Sequence, residues 1–434
     1  MPLRKRPRNN VFLATAYVIC CTALSAPPPN VVLLSVDTLR ADFLGCYGCP
    51  YPASPHLDRL AAESLVFEDC TCEVPLTAPS MASMFTSRFP RMTGVTRNGL
   101  RLRDDVPAIT TIFRDAGYFT LCVQSNWTLK AKLSGLDRGF DVYEDGFREK
   151  RWGIMKAERA ADDVTDVALD LLRQRPAGKP FFAWVHYSDP HAPYEFHKQY
   201  APAGRPRFFM RNQEKVRRKY ASEVAFTDAQ IARLLEALPL ENTAIVFVAD
   251  HGESLYEHDY LGHGRRIYRH EMRIPFMVRA MGVPPGRSNA PVRGIDAGAT
   301  LLGLAGLQPA PGMLGTDVLA APPPPTRVRV FETYGGAVPK LPGARALMAE
   351  APPQFQGATA EGWKLILGNS KAELFYLPDD PGELADLAAR EPQRVRDLKE
   401  LIVRWDDETN RAAGEGAELG VEDMHALEAL GYVE

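Results

Sequence analysis

The chain has 434 residues, 45% of them hydrophobic, enough for one large domain with a real core plus a smaller second one, which excludes disorder as its default state. Net charge is −3, from 51 basic against 54 acidic residues, so no global basic field argues for nucleic acid, and partners have to be argued locally.

Residues 1–25 read as a signal peptide. Arg4, Lys5, Arg6 and Arg8 precede the apolar run from Val11 to Cys21, and Ala23-Leu24-Ser25 offers small residues for cleavage before Ala26. The run is short against the roughly 20 apolar residues of a membrane span, so an N-terminal membrane anchor is the minor reading. Ile19 stands where a lipoprotein site at Cys20 would need a small residue. The expectation is an exported protein, periplasmic or extracellular. Five of the seven cysteines remain after cleavage: Cys46, Cys49, Cys70, Cys72 and Cys122. An odd count leaves at least one free thiol; a Cys46–Cys49 link, or one to the Cys70/Cys72 pair, stays open. One Cys-x-x-Cys and one Cys-x-Cys lack the paired spacing of a zinc knuckle.

Asn30 to Val36 is an apolar, β-branched run of the kind buried on both faces of a parallel sheet, and it ends in Asp37-Thr38. The carboxyl edge of such a sheet carries ligands, which makes Asp37 a candidate; the plainer reading is a cap for the turn from Leu39 to Gly45. Ser54 to Phe67 has helical spacing. From Pro75 to Gly94, Thr77 stands just before a predicted helix start, with Pro79 in the first turn, Ser80 and Ser83 able to satisfy free amides, and Met81, Met84 and Phe85 on one apolar face. Thr77 is either a helix cap or a hydroxyl facing the positive end of a helix, where a tetrahedral sulfate or phosphate is favoured.

Helix and strand then alternate: a helix from Thr110 to Gly117, a strand over Phe119 to Val123, a helix from Asp162 to Arg173 and a buried strand from Pro180 to Tyr187. That strand leads into Ser188-Asp189-Pro190-His191, so His191 follows a strand end, although a lone loop histidine is more often only solvated or packed. The basic run from Arg205 to Lys219, with Arg233 beyond it, reads first as a solvated face; a lid that draws in an anionic substrate is the sharper alternative. Tyr220 to Leu238 reads as a helix packing one side into the core. Thr243 to Ala249 repeats the first strand and ends in Asp250-His251-Gly252-Glu253. Asp with His is a normal ligand pair for Mn, Zn or Mg, and Gly252 gives the turn its backbone freedom. His258, His263 and the strand Ile274 to Val278 follow.

Ala321 to Pro325 is a stiff linker and the best boundary between a catalytic α/β domain over 26–320 and a smaller α+β unit over 326–434. In the latter, Val328 to Thr333, Trp363 to Leu367 and Glu373 to Leu377 read as a small antiparallel sheet, Pro392 to Thr409 as its covering helix, and Val421 to Leu430 as a last helix stopped by Gly431.

Six stretches together carry a resemblance over almost the whole chain after residue 25. They are P-N-V-V-L-L-S-V-D-T-L-R-A-D-F-L-G-C-Y-G from Pro29, T-A-P-S-M-A-S-M-F-T-S from Thr77, G-L-D-R-G-F-D from Gly135, D-P-H-A-P-Y from Asp189, A-D-H-G-E-S from Ala249 and L-E-A-L-G-Y-V from Leu427. The pattern resembles the sulfatase family of the alkaline phosphatase superfamily. The resemblance implies a mostly parallel sheet sandwiched by helices, with a smaller C-terminal antiparallel sheet plus helix. It implies one divalent ion (Mn, Mg, Ca or Zn) held by Asp37, Asp250 and His251, with Thr77 completing the shell as nucleophile. It also implies that His191 and His263 contact the substrate, one of them protonating the leaving oxygen. The expected partner is a small anionic ester, a sulfated or phosphorylated glycan, lipid or small molecule.

Three departures qualify this reading. Sulfatases carry a Cys or Ser that is oxidised to formylglycine, and Thr77 cannot form that aldehyde by the usual route. Met81 stands where the family has Arg, or His in its threonine-bearing relatives. Thr38 replaces the second Asp of a ligand pair. The resemblance therefore extends to phosphodiesterases and to phosphoglycerol or phosphoethanolamine transferases of the same superfamily. A catalytically inactive member that keeps an anion pocket is the reading from another class.

Overall fold

Three apolar runs, Asn30–Val36, Phe181–Tyr187 and Thr243–Ala249, are buried at every position. A strand covered on both faces is stable only inside a layered α/β arrangement, and these three form its centre. The structure is a computed structural model and describes residues 27–147, 150–151, 154–155, 158–335, 351–368, 370–409, 415–416 and 421–429. The signal peptide read over residues 1–25 and the Gly431 helix stop lie outside these residues.

The main sheet runs in the order Gly286–Ser288, Leu65–Thr71, Arg273–Arg279, Thr243–Ala249, Asn30–Val36, Phe181–Tyr187, Phe119–Val123 and Val142–Glu144, with Val292–Arg293 also on Leu65–Thr71. Pairing is parallel from Thr243–Ala249 through to Val142–Glu144, while Arg273–Arg279 is antiparallel to both its neighbours. The first strand thus has its partners on either side supplied from far along the chain, which is the switch-point topology that opens a crevice at the carboxyl edge. Helices Pro55–Ala62, Thr77–Thr86, Ile109–Asp115, Ala161–Gln174, Asn212–Ala237 and Asp296–Leu304 connect and cover the sheet.

Two predicted elements change. The helix expected over Ser54 to Phe67 stops at Ala62, and Leu65–Thr71 is a strand, because Leu65, Val66 and Phe67 pair with Val278, Met277 and Phe276. The helix expected from Tyr220 begins at Asn212, so part of the basic run is helical.

The smaller sheet is an antiparallel meander of Arg329–Thr333, Phe355–Ala360, Trp363–Leu367 and Ala372–Tyr376. Helix Pro392–Glu408 covers it through Leu398, Ile402 and Trp405. The sequence reading missed Phe355–Ala360, whose Gly357 and two alanines carry little strand signal. Gly357 is required there, since a Cβ would lie 2.3 Å from the Phe331 ring. Arg91 joins the two sheets: it is paired with Glu332 at 2.6 Å and with Asp406, and lies over the Trp405 ring at 4.0 Å. The last helix, Val421–Ala429, returns to the main layer, where Ala426 and Leu427 pack with Val74, Leu76 and Trp127 beside the start of helix Thr77–Thr86. All five described cysteines are free thiols, with Cys70, Cys72 and Cys122 buried.

Candidate active site

Strand register does most of the assembly. Val36 pairs with Ala249 on one side and Tyr187 on the other, so Asp37, Asp250 and Ser188 leave the sheet at the same level. The Asp37 N–H still donates to the Tyr187 carbonyl at 2.8 Å, after which Thr38 takes a left-handed conformation (φ 54°) and turns the chain away. The Tyr220 hydroxyl holds that turn, donating to the Thr38 carbonyl at 2.6 Å and accepting from the Arg40 N–H at 2.9 Å. After Asp250 the chain passes so close to the 270 segment that a Cβ at Gly252 would lie 2.1 Å from the His270 carbonyl oxygen, so only glycine fits.

Asp37, Asp250, His251 and Thr77 come together, all fully buried. Asp250 Oδ1 accepts from the N–H groups of Thr38 (3.1 Å) and His251 (2.7 Å), and Asp37 Oδ2 accepts from Asn126 Nδ2 at 2.6 Å. The remaining oxygens, Asp37 Oδ1 and Asp250 Oδ2, have no hydrogen-bond partner among the described residues. Both lie 3.6 Å from His251 Nε2, and Thr77 Oγ1 lies 3.4 Å from the same nitrogen. His251 Nδ1 faces the Gly252 carbonyl at 2.9 Å; a carbonyl only accepts, so the ring proton is on Nδ1 and Nε2 presents a lone pair.

Two carboxylate oxygens without a partner among the described residues, a basic nitrogen and the Thr77 hydroxyl oxygen, all able to accept, therefore lie close together. Buried acceptors so arranged cost several kcal/mol unless a cation joins them, so these residues fit a divalent ion. The charges agree. Burial and the neighbouring Asp37 carboxylate push Asp250 well above the usual carboxylate range. Burial also acts upward on Asp37, but His186, His191 and His251 outweigh it and hold that carboxyl low. Burial, then His263, lowers His251 to about 3, leaving its imidazole neutral.

His186 joins this group, and sequence reasoning missed it. Its Nε2 is 3.8 Å from Asp37 Oδ2, its Nδ1 lies 2.8 Å from Ser35 Oγ, and one ligand atom each of Asp37, His186 and Asp250 falls within a 4.8 Å cluster. The available signal was a single polar ring inside the run Phe181–Tyr187, opposite Ser35 in the register.

The helix start differs in detail from expectation. Leu76 occupies the cap position and Thr77 is the first helical residue. Ser80 does not satisfy a free amide: its hydroxyl donates to the Asp250 carbonyl at 2.7 Å, tying the helix to the ligand turn. Ser83 Oγ has no partner among the described residues. Met81 is in the core, as its spacing implied. The Ala78 N–H donates to Asn98 Oδ1 at 3.0 Å, and the buried Asn98 Nδ2 at the same helix end has no acceptor among the described residues. A tetrahedral anion placed there would supply one.

His191 and His263 sit beside the cluster. The ring centroids of His251 and His263 are 4.5 Å apart and those of His191 and His263 5.1 Å. Each has a carboxylate at Nδ1: Glu158 lies 2.7 Å from His191, and Glu253 lies 3.2 Å from His263. Burial works against a charged His191, yet Glu158, Asp37 and Glu253 outweigh it and raise the ring to about 10, an imidazolium at neutral pH. The basic run meets local partners instead of the cluster: Arg217 pairs with Glu257 at 2.7 Å, Arg218 with Glu214 at 3.0 Å, and Lys219 donates to the Tyr194 carbonyl.

The sequence profile of the Sulfatase family matches residues 29–307. An ulvan-active sulfatase of Formosa agariphila is 29% identical over 362 residues, covering 72% of this chain and 70% of that one. Choline-sulfatase of Rhizobium meliloti is 23% identical over 431 residues, covering 83% and 82% respectively. Among solved structures, a protein in complex with its substrate D-glucosamine-2-N,6-O-disulfate superposes with a TM-score of 0.74 at 19% identity, over 88% of this chain and 98% of that one. The phosphonate monoester hydrolase of Agrobacterium radiobacter superposes with a TM-score of 0.72 at 18% identity, over 89% and 97%. At these identities the structural likeness speaks to the fold.

Proposed function

Because this chain belongs to the sulfatase family of hydrolases, we propose that it cleaves a sulfate or phosphate ester with Thr77 as the attacking group. The observation that supports this reading is the convergence of Asp37 Oδ1, Asp250 Oδ2 and Thr77 Oγ1 on His251 Nε2. Asp37, Asp250 and His251 would hold one divalent ion with Thr77 beside it; when bound, that ion lowers the pKa of the hydroxyl and offsets charge on the transferred group. Thr77 Oγ1, its proton given up to bulk water, attacks the sulfur or phosphorus. The bond to the ester oxygen breaks, and that oxygen leaves as an alcohol with a proton from the His191 imidazolium. A covalent Thr77 ester remains. Water then attacks it, its proton returning to His191, and the Thr77 oxygen leaves and takes a proton back from bulk water. Glu158 keeps His191 charged, Glu253 orients His263, and the Asn98 amide donates to the anion at the helix start.

The names of the relatives favour a sulfated glycan as the organic half. Residues 1–25 favour an exported, periplasmic or extracellular place of action. The second reading is phosphoryl chemistry, hydrolysis or transfer to an acceptor alcohol. It is favoured by Thr77 standing where a formylglycine precursor is expected and by the likeness to a phosphonate monoester hydrolase. A panel of nitrophenyl sulfate, phosphate, phosphodiester and phosphonate, each with Mn, Mg, Ca or Zn, tests both. Ion-dependent release from at least one ester, lost in Thr77→Ala, is expected. Full turnover by Thr77→Ala on every ester the native protein cleaves would overturn the assignment.

A further inference from the structure

A second set of metal-ligating side chains lies at the base of the loop that carries His191. Asp189 opens this loop just after strand Phe181–Tyr187, His197 stands at its far end, and Glu223 comes from helix Asn212–Ala237. One ligand atom from each falls within 4.8 Å of the others. None of the three belongs to the catalytic cluster.

The hydrogen-bond accounting at this place does not close. Glu223 Oε1 accepts from the Glu195 N–H, and its Oε2 lies 2.8 Å from His197 Nε2. Asp189 accepts from the Ala161 N–H, but its Oδ2 is fully buried and has no partner among the described residues. The charges acting most strongly on Asp189 are those of Glu223, Glu158 and Asp162, all negative, and with burial they push its carboxyl well above the ordinary range. A lone unpaired oxygen among like charges is a costly arrangement for a protein to keep, and a cation removes the cost. The imidazole is also fixed in place. His197 stacks on Phe226 with ring centroids 4.2 Å apart, and its backbone N–H donates to Ser222 Oγ at 2.8 Å.

We propose that Asp189, His197 and Glu223 bind a second divalent cation that ties both ends of the 189–197 loop to helix Asn212–Ala237 and so fixes His191 between them. One imidazole with two carboxylates and no thiolate suits zinc or manganese; calcium asks for six or more oxygens. The site is structural toward the loop, and His191 is what it positions.

Titration of the chelator-stripped full chain with MnCl2 and with ZnCl2, followed by calorimetry, tests this. Two binding events are expected in the native protein, one in Glu223→Gln, one in Asp250→Asn and none in the double variant. A Glu223→Gln chain that binds as many ions as the native protein overturns the inference. That result would leave the catalytic reading standing, whereas an Asp250→Asn chain with undiminished binding would sink the catalytic ion and not this one. If Glu223→Gln does not fold, native crystals soaked in MnCl2 or ZnCl2 decide by anomalous scattering. A peak among Asp189, His197 and Glu223 supports the site, and no peak there overturns it.

Discussion

Replacing Glu158 by Gln should shift the pH range in which the protein turns over its substrate without touching the attacking group. Glu158 Oε1 lies 2.7 Å from His191 Nδ1 and is the largest influence raising that ring against the effect of burial. The rise from 6.5 to about 10 corresponds to about 5 kcal/mol favouring the imidazolium, at 1.36 kcal/mol per pKa unit. A group raised in this way is protonated below its pKa, so a reaction that needs His191 as acid loses rate as pH climbs through about 10. Loss of a single opposite charge at this range moves a pKa by about 1–3 units, so the alkaline limb of the variant should fall from about 10 to roughly pH 7–9. The assay is a pH profile of kcat/KM with the best nitrophenyl ester. At pH 9 the variant should keep no more than about half of native kcat/KM, and about a hundredth at the largest shift, while approaching native values on the acid side. An alkaline limb that does not move would refute His191 as the proton donor held by Glu158.

Three further outcomes follow from the same structure. Asn98→Ala removes the unpartnered amide at the helix start, and kcat/KM should fall by about 10²-fold with the melting temperature nearly unchanged; an unaltered kcat/KM would remove Asn98 from anion binding. Arg91→Ala strands the fully buried Glu332, whose partner lies at 2.6 Å, at a cost of about 3–5 kcal/mol. With 434 residues at about 2.1 cal/mol/K each, that is a drop of roughly 3–5 °C by calorimetry, and a drop of less than about 1 °C would contradict it. Glu73 is raised by burial, with Asp296 adding to it, to about 7. Stability from its protonated form is therefore complete below its unfolded value of about 4.5 and lost as pH rises through 7, a span of roughly 3 kcal/mol. Glu73→Gln should flatten the change in urea midpoint between pH 5 and pH 8; equal slopes in both chains would count against it.

Much of this site is legible in the order of the residues alone. Asp37 and Asp250 each end a run buried on both faces, and the register Val36↔Ala249 brings two such ends level, so pattern alone locates them. His251 is their chain neighbour, and Thr77 is marked by the helix that follows it. Residues whose roles depend on contacts far along the chain were not legible. Asn126 reaches Asp37 across 89 positions, Glu158 meets His191 from a separate segment, and nothing local distinguishes either. His186 was hidden by the same apolar run that made its strand obvious. The cap reading of Thr77 failed by one residue because Leu76, which packs under the last helix, takes the cap position. Strand Phe355–Ala360 was missed because its glycine answers to the Phe331 ring and not to strand propensity.

In the proposed reaction the Thr77 hydroxyl forms the bond to the transferred group. Rapid acid quench of the native protein in turnover, followed by peptide mass spectrometry, tests it most directly. One sulfuryl or phosphoryl group is expected on the peptide that contains Thr77, absent from Thr77→Ala together with all turnover. A modified peptide elsewhere in the chain, or an unmodified Thr77 in a protein whose Thr77→Ala variant still cleaves the ester, would contradict it.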